Sequence, residues 1–366
     1  MKRLLCLLSG MNAGGAETFL MKLYRRIDHT KYQFDFCINV KEKCFYEDEI
    51  CALGGRIFRI PSKSENLKEF KRQLSDLVKR EKYQHVLRIT SNTMGFLDLK
   101  VAKKAGAEVC CARSSNSSDG SGLKEKLAHI IGRLMYGKYV DIAFAPSDLA
   151  AIYTFGRDAY RNGSVHILHN AVDLDVFHYD EEAKWKIRQE FGIDPETTVL
   201  GHVGRFTEQK NHMFLADIFK CIKEKSSNTV LLLVGEGPLK EQFEKRAAEL
   251  GIIDSVIFAG VRSDVPSLLS AMDVMVFPSF YEGMPNTVIE AQATGLPCVI
   301  ADTITREAKI TDLVDYLSLE ESAEHWAQVV MNKADGKRTD TKQSFVENEY
   351  DILTVVKGFI NIIFEQ

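Results

Sequence analysis

The chain has 366 residues, 45% of them hydrophobic and 27% charged, with only 8 prolines. This composition suits two globular domains of ordinary size and excludes disordered, collagen-like and solenoid-repeat classes. No apolar run reaches the length of about 18 residues that a membrane-spanning helix requires. The formal net charge of −4 hides an asymmetry, because residues 1–172 carry 28 Lys and Arg against 18 Asp and Glu, and the remainder carries 19 against 33. A first half at +10 beside a second at −14 suggests that one half faces an anionic partner or surface.

The opening MKRLLCLLSG sets Lys2 and Arg3 before a short apolar run, as a signal peptide would. That run ends at Ser9–Gly10 without a cleavage-like segment, so it reads as a first buried strand over 3–8. SGMNAGGAET follows, and Gly14-Gly15 opens a helix over 16–28 whose N-terminus is receptive to anions. The turn is not G-x-G-x-x-G, and Asp35, the one acidic residue about 20 positions on, falls inside a strand. Both features argue against a dinucleotide-dependent oxidoreductase. Further β-type runs at 33–40, 56–60, 85–89, 108–112, 142–146 and 165–168 are separated by helical patterns such as 65–82 and 121–138.

The polar, turn-prone stretch HNAVDLDVFHYDEEAKW then leads into a new helix near 181 and marks a domain boundary after 172. The pattern restarts with strands at 198–203, 229–234, 256–260, 274–278 and 297–300. From about Phe345 the apolar spacing of Ile352, Val355, Val356, Phe359, Ile360 and Ile363 is helical, with no strand after it. Alternation of this kind predicts an α/β chain with two parallel, Rossmann-like sheets and a cleft between them. The expected domains are 1–172 and 173–344, with 345–366 as a C-terminal helix. The eight cysteines (Cys6, Cys37, Cys44, Cys51, Cys110, Cys111, Cys221, Cys298) form no C-x-x-C. They read as reduced thiols in a cytoplasmic protein, with no disulfide and no metal site.

Open parallel sheets bind ligands beyond the carboxyl ends of their strands. After 198–203 the chain reads GRFTEQKNH, where Gly204 turns and Arg205 and Lys210 place two cations suited to phosphate oxygens. After 229–234 comes Gly235-Glu236-Gly237-Pro238, whose glycines permit close backbone approach to a ligand, although the same residues also make an ordinary turn. After 274–278 comes SFYEGMPNTVIEAQATGLP. Pro285-Asn286 fits a helix entry, so backbone N–H groups from Gly283 through Met284 to Val288 would favour phosphate. Glu290 lies one turn inside, on the face of Asn286, where it can accept from the vicinal hydroxyls of a ribose. Glu282 precedes the turn and can reach sugar hydroxyls or the anomeric region. A glycoside hydrolase would need two carboxylates flanking one bond, without a helix N-terminus and two cations beside them. A sugar nucleotide fits the set better.

GGAE near the start, GRFTEQKN, LLVGEGP, FAGVRSDV and the Glu282-to-Glu290 element together resemble the retaining family 4 glycosyltransferases of GT-B fold, over nearly the whole length. NAVD (170–173), VIADTITREAKITDL (299–313) and Trp326 are similar to the bacterial capsule and exopolysaccharide branch. The resemblance implies metal-independent transfer of a hexose or hexosamine, with retention, from a nucleoside diphosphate sugar, expected to be UDP-linked, and no cofactor. It assigns the diphosphate to Arg205 and Lys210 and the ribose to Glu290. Glu282 and the backbone of Gly283, Met284, Pro285 and Asn286 would hold the donor sugar and phosphates, beside Gly235 and Glu236. Gly14 and Gly15 would approach the diphosphate from the other domain, and the C-terminal helix would cross back onto the first domain.

Relatives of this kind often carry histidines after the fourth and fifth strands, where this chain has Arg88 and Arg113. Either these arginines bind an anionic donor or acceptor group, or they make surface salt bridges. His166 and His169 flank a strand and read as structural. The segment 122–140 joins an apolar set (Leu127, Ile130, Ile131, Leu134) to Lys124, Lys126, Arg133 and Lys138. With the basic first half, it suggests peripheral contact with an anionic membrane that carries a lipid-linked oligosaccharide acceptor. No nucleic acid partner is expected. The alternatives are a nucleotide-sugar epimerase of the same fold and a non-catalytic protein that only binds nucleotide sugar.

Overall fold

Two sheets, each all-parallel, organise the chain. A computed structural model describes residues 1–12, 14–115, 129, 132, 133, 135–282, 284–334 and 337–365. The chain divides into two units: residues 1–171 with 349–366, and residues 172–348.

In the first unit, seven strands among the described residues are β1 (Lys2–Leu7), β2 (Tyr32–Ile38), β3 (Ile57–Arg59), β4 (His85–Thr90), β5 (Val109–Ser114), β6 (Ile142–Ala145) and β7 (Val165–Ile167). They lie in the order β3-β2-β1-β4-β5-β6-β7. The apolar N-terminal run is the strand β1, with Leu4, Leu5 and Cys6 fully buried. Parallel strands covered on both faces read as continuous apolar runs, which is why these segments are legible in the sequence. Asp35, inside β2, is fully buried. It accepts from Arg3 (2.8 Å), Arg56 (2.9 Å) and the Tyr83 hydroxyl (2.6 Å). Burial alone would raise its carboxyl, but the bonds from Arg56, Tyr83 and Arg3 bring it below the ordinary value. Asp35 is therefore a structural carboxylate.

The helix Lys63–Glu81 starts where the Ser62 side chain accepts from the Glu65 amide and ends at Lys82 in the left-handed region (φ 56°). The C-terminal helix Ile352–Phe364 belongs to the first unit, where Phe359 packs against Phe34 and Phe144. Lys2 Nζ donates to the Phe364 carbonyl (2.5 Å), and the Tyr32 hydroxyl donates to Glu365 (2.7 Å). Burying side chains such as Phe359, Ile360 and Ile363 contributes about 1.5–3 kcal/mol each. The helix thus crosses back to the sheet that began the chain.

In the second unit the described strands are β8 (Thr198–Val203), β9 (Thr229–Val234), β10 (Val256–Gly260), β11 (Val274–Phe277), β12 (Cys298–Ala301) and β13 (Val314–Leu317), ordered β10-β9-β8-β11-β12-β13. The edge strand β13 is not among the strands expected from the sequence. Its VDYL is short and only part-buried, and Asp315 points to Lys333 (2.8 Å) rather than into an apolar layer. The cysteines of both units are free thiols.

Candidate functional site

Strand order in the second unit reverses between β8 and β11. The connections that leave these neighbours diverge to opposite sides, which opens a crevice at their carboxyl ends. The loop after β8 carries Gly204, Arg205 and Lys210, and the loop after β11 carries Glu282 to Pro285. The two loops are joined directly. The Phe280 amide donates to the Gln209 carbonyl (2.9 Å), and Gln209 Nε2 donates to the Tyr281 carbonyl (2.8 Å).

Lys210 Nζ lies 2.7 Å from Glu282 Oε1, with side chains 17% and 10% exposed. The same ammonium stands 4.5 Å from the centroid of the Phe277 ring. Removing one member of such a shielded pair typically costs about 3–5 kcal/mol, because the other charge is left desolvated. Arg205 is exposed, and its side chain makes no hydrogen bond or ion pair among the described residues. One cation is therefore held in place, while the other is displayed to solvent.

Beneath Lys210 lie two histidines that the sequence reading did not single out. His202, on β8, is fully buried with Nδ1 2.9 Å from the Val276 carbonyl, so Nδ1 carries the proton and Nε2 is left without a partner. Burial, then His212, push its basicity well down. His212 stacks on Phe206 (4.2 Å between centroids), and burial, then Lys210, lower it to about 4. The floor under the cation is neutral at ordinary pH. The only sequence signal was a pair of histidines flanking the Gly204–Lys210 loop.

After β9, Gly235 (φ +135°) adopts a conformation that few side chains tolerate, and a Cβ there would overlap the Gly204 carbonyl. A Cβ on Gly237 would sit 2.5 Å from the Phe206 carbonyl. Both glycines serve the packing of this turn against the β8 loop, which the Phe206 amide also ties to the Glu236 carbonyl (3.1 Å). The Glu236 side chain pairs with Lys240 (2.8 Å).

The helix Asn286–Ala293 begins after Pro285 with no side-chain cap hydrogen bond, at the end of the loop that follows β11. Met284 packs against the core, and Pro285 is buried. Glu290 is half-buried one turn in, on the face of Asn286. Gly283 lies outside the described residues. Gln292 anchors the helix: its amide donates to the Ala308 carbonyl (2.8 Å), and its oxygen accepts from the amides of Ile310 and Thr311 (both 3.0 Å). At the far end, Arg338 Nη1 donates to the Thr294 carbonyl (3.0 Å) beside a cavity of about 550 Å³ lined by Phe177, Tyr179 and Thr341. That cavity is at the end of the helix remote from Lys210 and Glu282.

In the first unit the sheet order reverses between β1 and β4. Gly14 and Gly15 follow β1 at the start of the helix Gly15–Arg26, which also lacks a side-chain cap. Space at Gly15 is open, whereas a Cβ on Gly14 would overlap the Glu17 carboxylate. Arg88 and Arg113 are both buried, so neither forms a surface salt bridge, one of the alternatives that the sequence left open. Arg88 Nε is 3.0 Å from Asp98 Oδ2, close but not aligned as a hydrogen bond, and Lys63 Nζ is 2.6 Å from Asp98 Oδ1. Arg113 is 1% exposed and has no carboxylate partner among the described residues. Its Nη2 donates to Asn170 Oδ1 (2.8 Å) and the Leu168 carbonyl (3.3 Å), and its guanidinium lies 3.5 Å from the Phe19 ring centroid. Burial pushes it down to about 9. Sealed in this way, Arg113 holds the end of the first unit together and has no free fork for an anion.

His169 stacks on Tyr350 (4.1 Å) and its Nδ1 lies 3.2 Å from the Pro146 carbonyl, a structural arrangement. Most of the segment 122–140, including Leu127, Ile130, Ile131, Leu134, Lys124 and Lys126, lies outside the described residues. Arg133 is described, and it bonds the carbonyls of Ile152 and Tyr153 instead of standing on an open basic face. Among the described residues no group of three His, Cys, Asp or Glu could hold a metal ion. None of the described helices is long and apolar enough to cross a membrane.

Residues 183–349 match the family described as Glycosyl transferases group 1. Over 99% of the chain and 96% of its relative, the sequence is 35% identical to the Bacillus subtilis (strain 168) protein called glycosyltransferase EpsF. It is 29% identical, over 74% of the chain and 72% of the relative, to the Escherichia coli UDP-Gal:alpha-D-GlcNAc-diphosphoundecaprenol alpha-1,3-galactosyltransferase. Among solved structures, Anabaena HepE in complex with UDP is similar with a TM-score of 0.80 over the whole of both chains at 16% identity. Likeness at that identity speaks to the fold.

Proposed function

The chain belongs to the group 1 glycosyl transferases and has their GT-B fold, and on that premise we propose that it moves a hexose or hexosamine from a UDP-linked donor to a lipid-linked oligosaccharide, with retention, in the assembly of a surface polysaccharide. The observation that carries this reading is the crevice between β8 and β11, where the shielded Lys210–Glu282 pair, the displayed Arg205 and an uncapped helix bearing Glu290 converge. Lys210 and Arg205 take the diphosphate, and the amides around Met284, Pro285 and Asn286 complete its cradle. Glu290 accepts from the ribose hydroxyls. Glu282 orients Lys210 and offers its second oxygen to a hydroxyl of the donor sugar.

As the bond from the sugar to the diphosphate breaks, negative charge grows on the leaving oxygen, and these fixed donors stabilise it. Positive charge comes from the chain itself, so full turnover in excess chelator is the expected behaviour. The E. coli relative, named for UDP-galactose and a diphosphoundecaprenol-linked acceptor, supports both the nucleotide and the acceptor class. The basic first half supports peripheral contact with an anionic membrane, worth about 1 kcal/mol per cation near the surface. Salt-sensitive sedimentation with anionic vesicles tests that contact.

The central experiment combines a thermal-shift panel of UDP and GDP sugars with an assay of UDP release. Binding of a UDP sugar raises stability, and UDP release that depends on acceptor identifies transfer. Release without acceptor, or conversion of the donor to its epimer, would reject the reading.

A further inference from the structure

We propose that Arg88, with Lys63 beside it, is a binding site for an anionic oxygen group, phosphate or carboxylate, carried by the acceptor. Only the assignment of the anion to an acceptor rests on the transferase reading; the site itself stands on the first unit.

Arg88 lies near the carboxyl end of β4, next to β1, where the strand order reverses. Ligands of open α/β sheets collect at that place. Its carboxylate partner Asp98 is 2% exposed and is shared with Lys63, so two cations and one anion leave an excess of one positive charge. Asp98 faces the Nε edge of the guanidinium. Neither Nη1 nor Nη2 has a hydrogen-bond partner among the described residues, and neither is sealed from solvent, although Arg88 as a whole is 9% exposed. The two terminal nitrogens form the planar fork that matches two oxygens of a carboxylate or phosphate.

Two other buried arginines and the part-buried Arg338 show what a purely structural guanidinium does here. Arg113, Arg188 and Arg338 place their Nη groups on protein oxygens: Asn170 and Leu168, then Thr197 and Asp273, then Thr294 and Leu269. Arg88 alone among these four keeps its fork open. The surroundings are shaped to hold it. A Cβ on Gly95 would overlap the Thr90 side chain and lie 3.2 Å from Arg88 Cγ, so glycine at this position lets the turn after β4 pack closely against Thr90 and the Arg88 stem. Lys63 reaches Asp98 while its ammonium stays 5.6 Å from the Phe70 ring centroid.

The test titrates inorganic pyrophosphate and sodium glucuronate, with glucose as the neutral control, into the full-length wild type, Arg88→Gln and Arg88→Lys. The readout is the difference between wild type and variant, so binding at the cations of the second unit cancels. Arg88→Gln is expected to weaken one of the two anions ten- to hundredfold, on the order of a lost charge-assisted bond, with UDP affinity unchanged. Arg88→Lys keeps Asp98 paired and the chain folded but lacks the fork, so it should bind the anion at least several-fold more weakly than wild type. Loss of pyrophosphate points to the diphosphate of a lipid carrier, and loss of glucuronate points to an acidic sugar. In turnover, the acceptor KM should rise while the donor KM holds. Equal affinity of wild type and Arg88→Lys for both anions would overturn the proposal. So would a parallel fall in UDP affinity, which would place Arg88 with the donor. A failure of UDP binding in the wild type would instead count against the transferase reading.

Discussion

Lys210 and Glu282, 72 positions apart in the chain, meet at 2.7 Å at the carboxyl ends of two adjacent strands. Their pairing means that Lys210 is not a freely mobile phosphate ligand: its position is set before any donor arrives. Lys210→Ala is expected to weaken UDP about ten- to hundredfold, the scale of a charge-assisted hydrogen bond. Glu282→Gln should behave oppositely in binding, because it removes a negative charge from beside the diphosphate and retains a hydrogen-bond acceptor for the ammonium. UDP should bind at least as tightly, while turnover falls by about tenfold or more as the donor sugar loses its carboxylate contact. Calorimetry with UDP and single-turnover kinetics on both variants check this pair of signs.

Glu290 stands one turn inside the helix Asn286–Ala293. If it reads the ribose, Glu290→Ala weakens UDP about tenfold or more and leaves inorganic pyrophosphate unaffected. Competition of each ligand against a fluorescent nucleotide measures both. An equal loss for the two would assign Glu290 to the phosphates or to the helix itself.

Gly235 at φ +135° leaves no room for a side chain against the Gly204 carbonyl. Gly235→Ala combines a strained backbone with a steric overlap, and such strain costs on the order of 1–3 kcal/mol. In a unit of this size that corresponds to a fall in Tm of about 2–4 °C per kcal/mol. Because the displaced partner is the loop carrying Arg205 and Lys210, UDP affinity should fall as well. Differential scanning calorimetry with and without UDP separates the two effects. A variant that melts normally and binds normally would show that the turn can shift without cost.

His212 remains neutral in the folded chain down to about pH 4, whereas an unfolded histidine titrates near 6.5. Between these values the unfolded chain binds the additional proton, so stability falls as the pH drops through that window and levels off below it. The group can contribute about 3 kcal/mol of acid lability at most. Carboxylates act in the same direction, so the difference between wild type and His212→Phe is the decisive measurement. The variant should gain stability relative to wild type as urea unfolding is repeated from pH 7 to pH 4.5. A pH-independent difference would show that His212 is not buried neutral.

The alternation of strands and helices was legible because parallel strands covered on both sides must be apolar throughout. TVLGHV, TVLLLV and VIFAG occupy the observed spans of β8, β9 and β10. β13 was not legible, since an edge strand of four residues, three of them only part-buried, has no such requirement. The site residues of the second unit were readable as strand-end positions, because that topology delivers the residues after each strand to one edge.

Arg88 and Arg113 looked alike in sequence, one near the end of the strand expected over 85–89 and the other just after that over 108–112, each followed by polar residues. Their fates diverged through partners far along the chain: Asp98 and Lys63 for one, Leu168 and Asn170 for the other. The neutral histidine floor under Lys210 depended likewise on Val276, 74 positions from His202. Periodicity, turn residues and charge are local quantities, so the sequence by itself determined the two sheets, their helices and the rim on which cations and carboxylates gather. Burial and pairing are set by which distant segments pack together. Only the tertiary structure therefore decided which cation is held, which is displayed and which is sealed away.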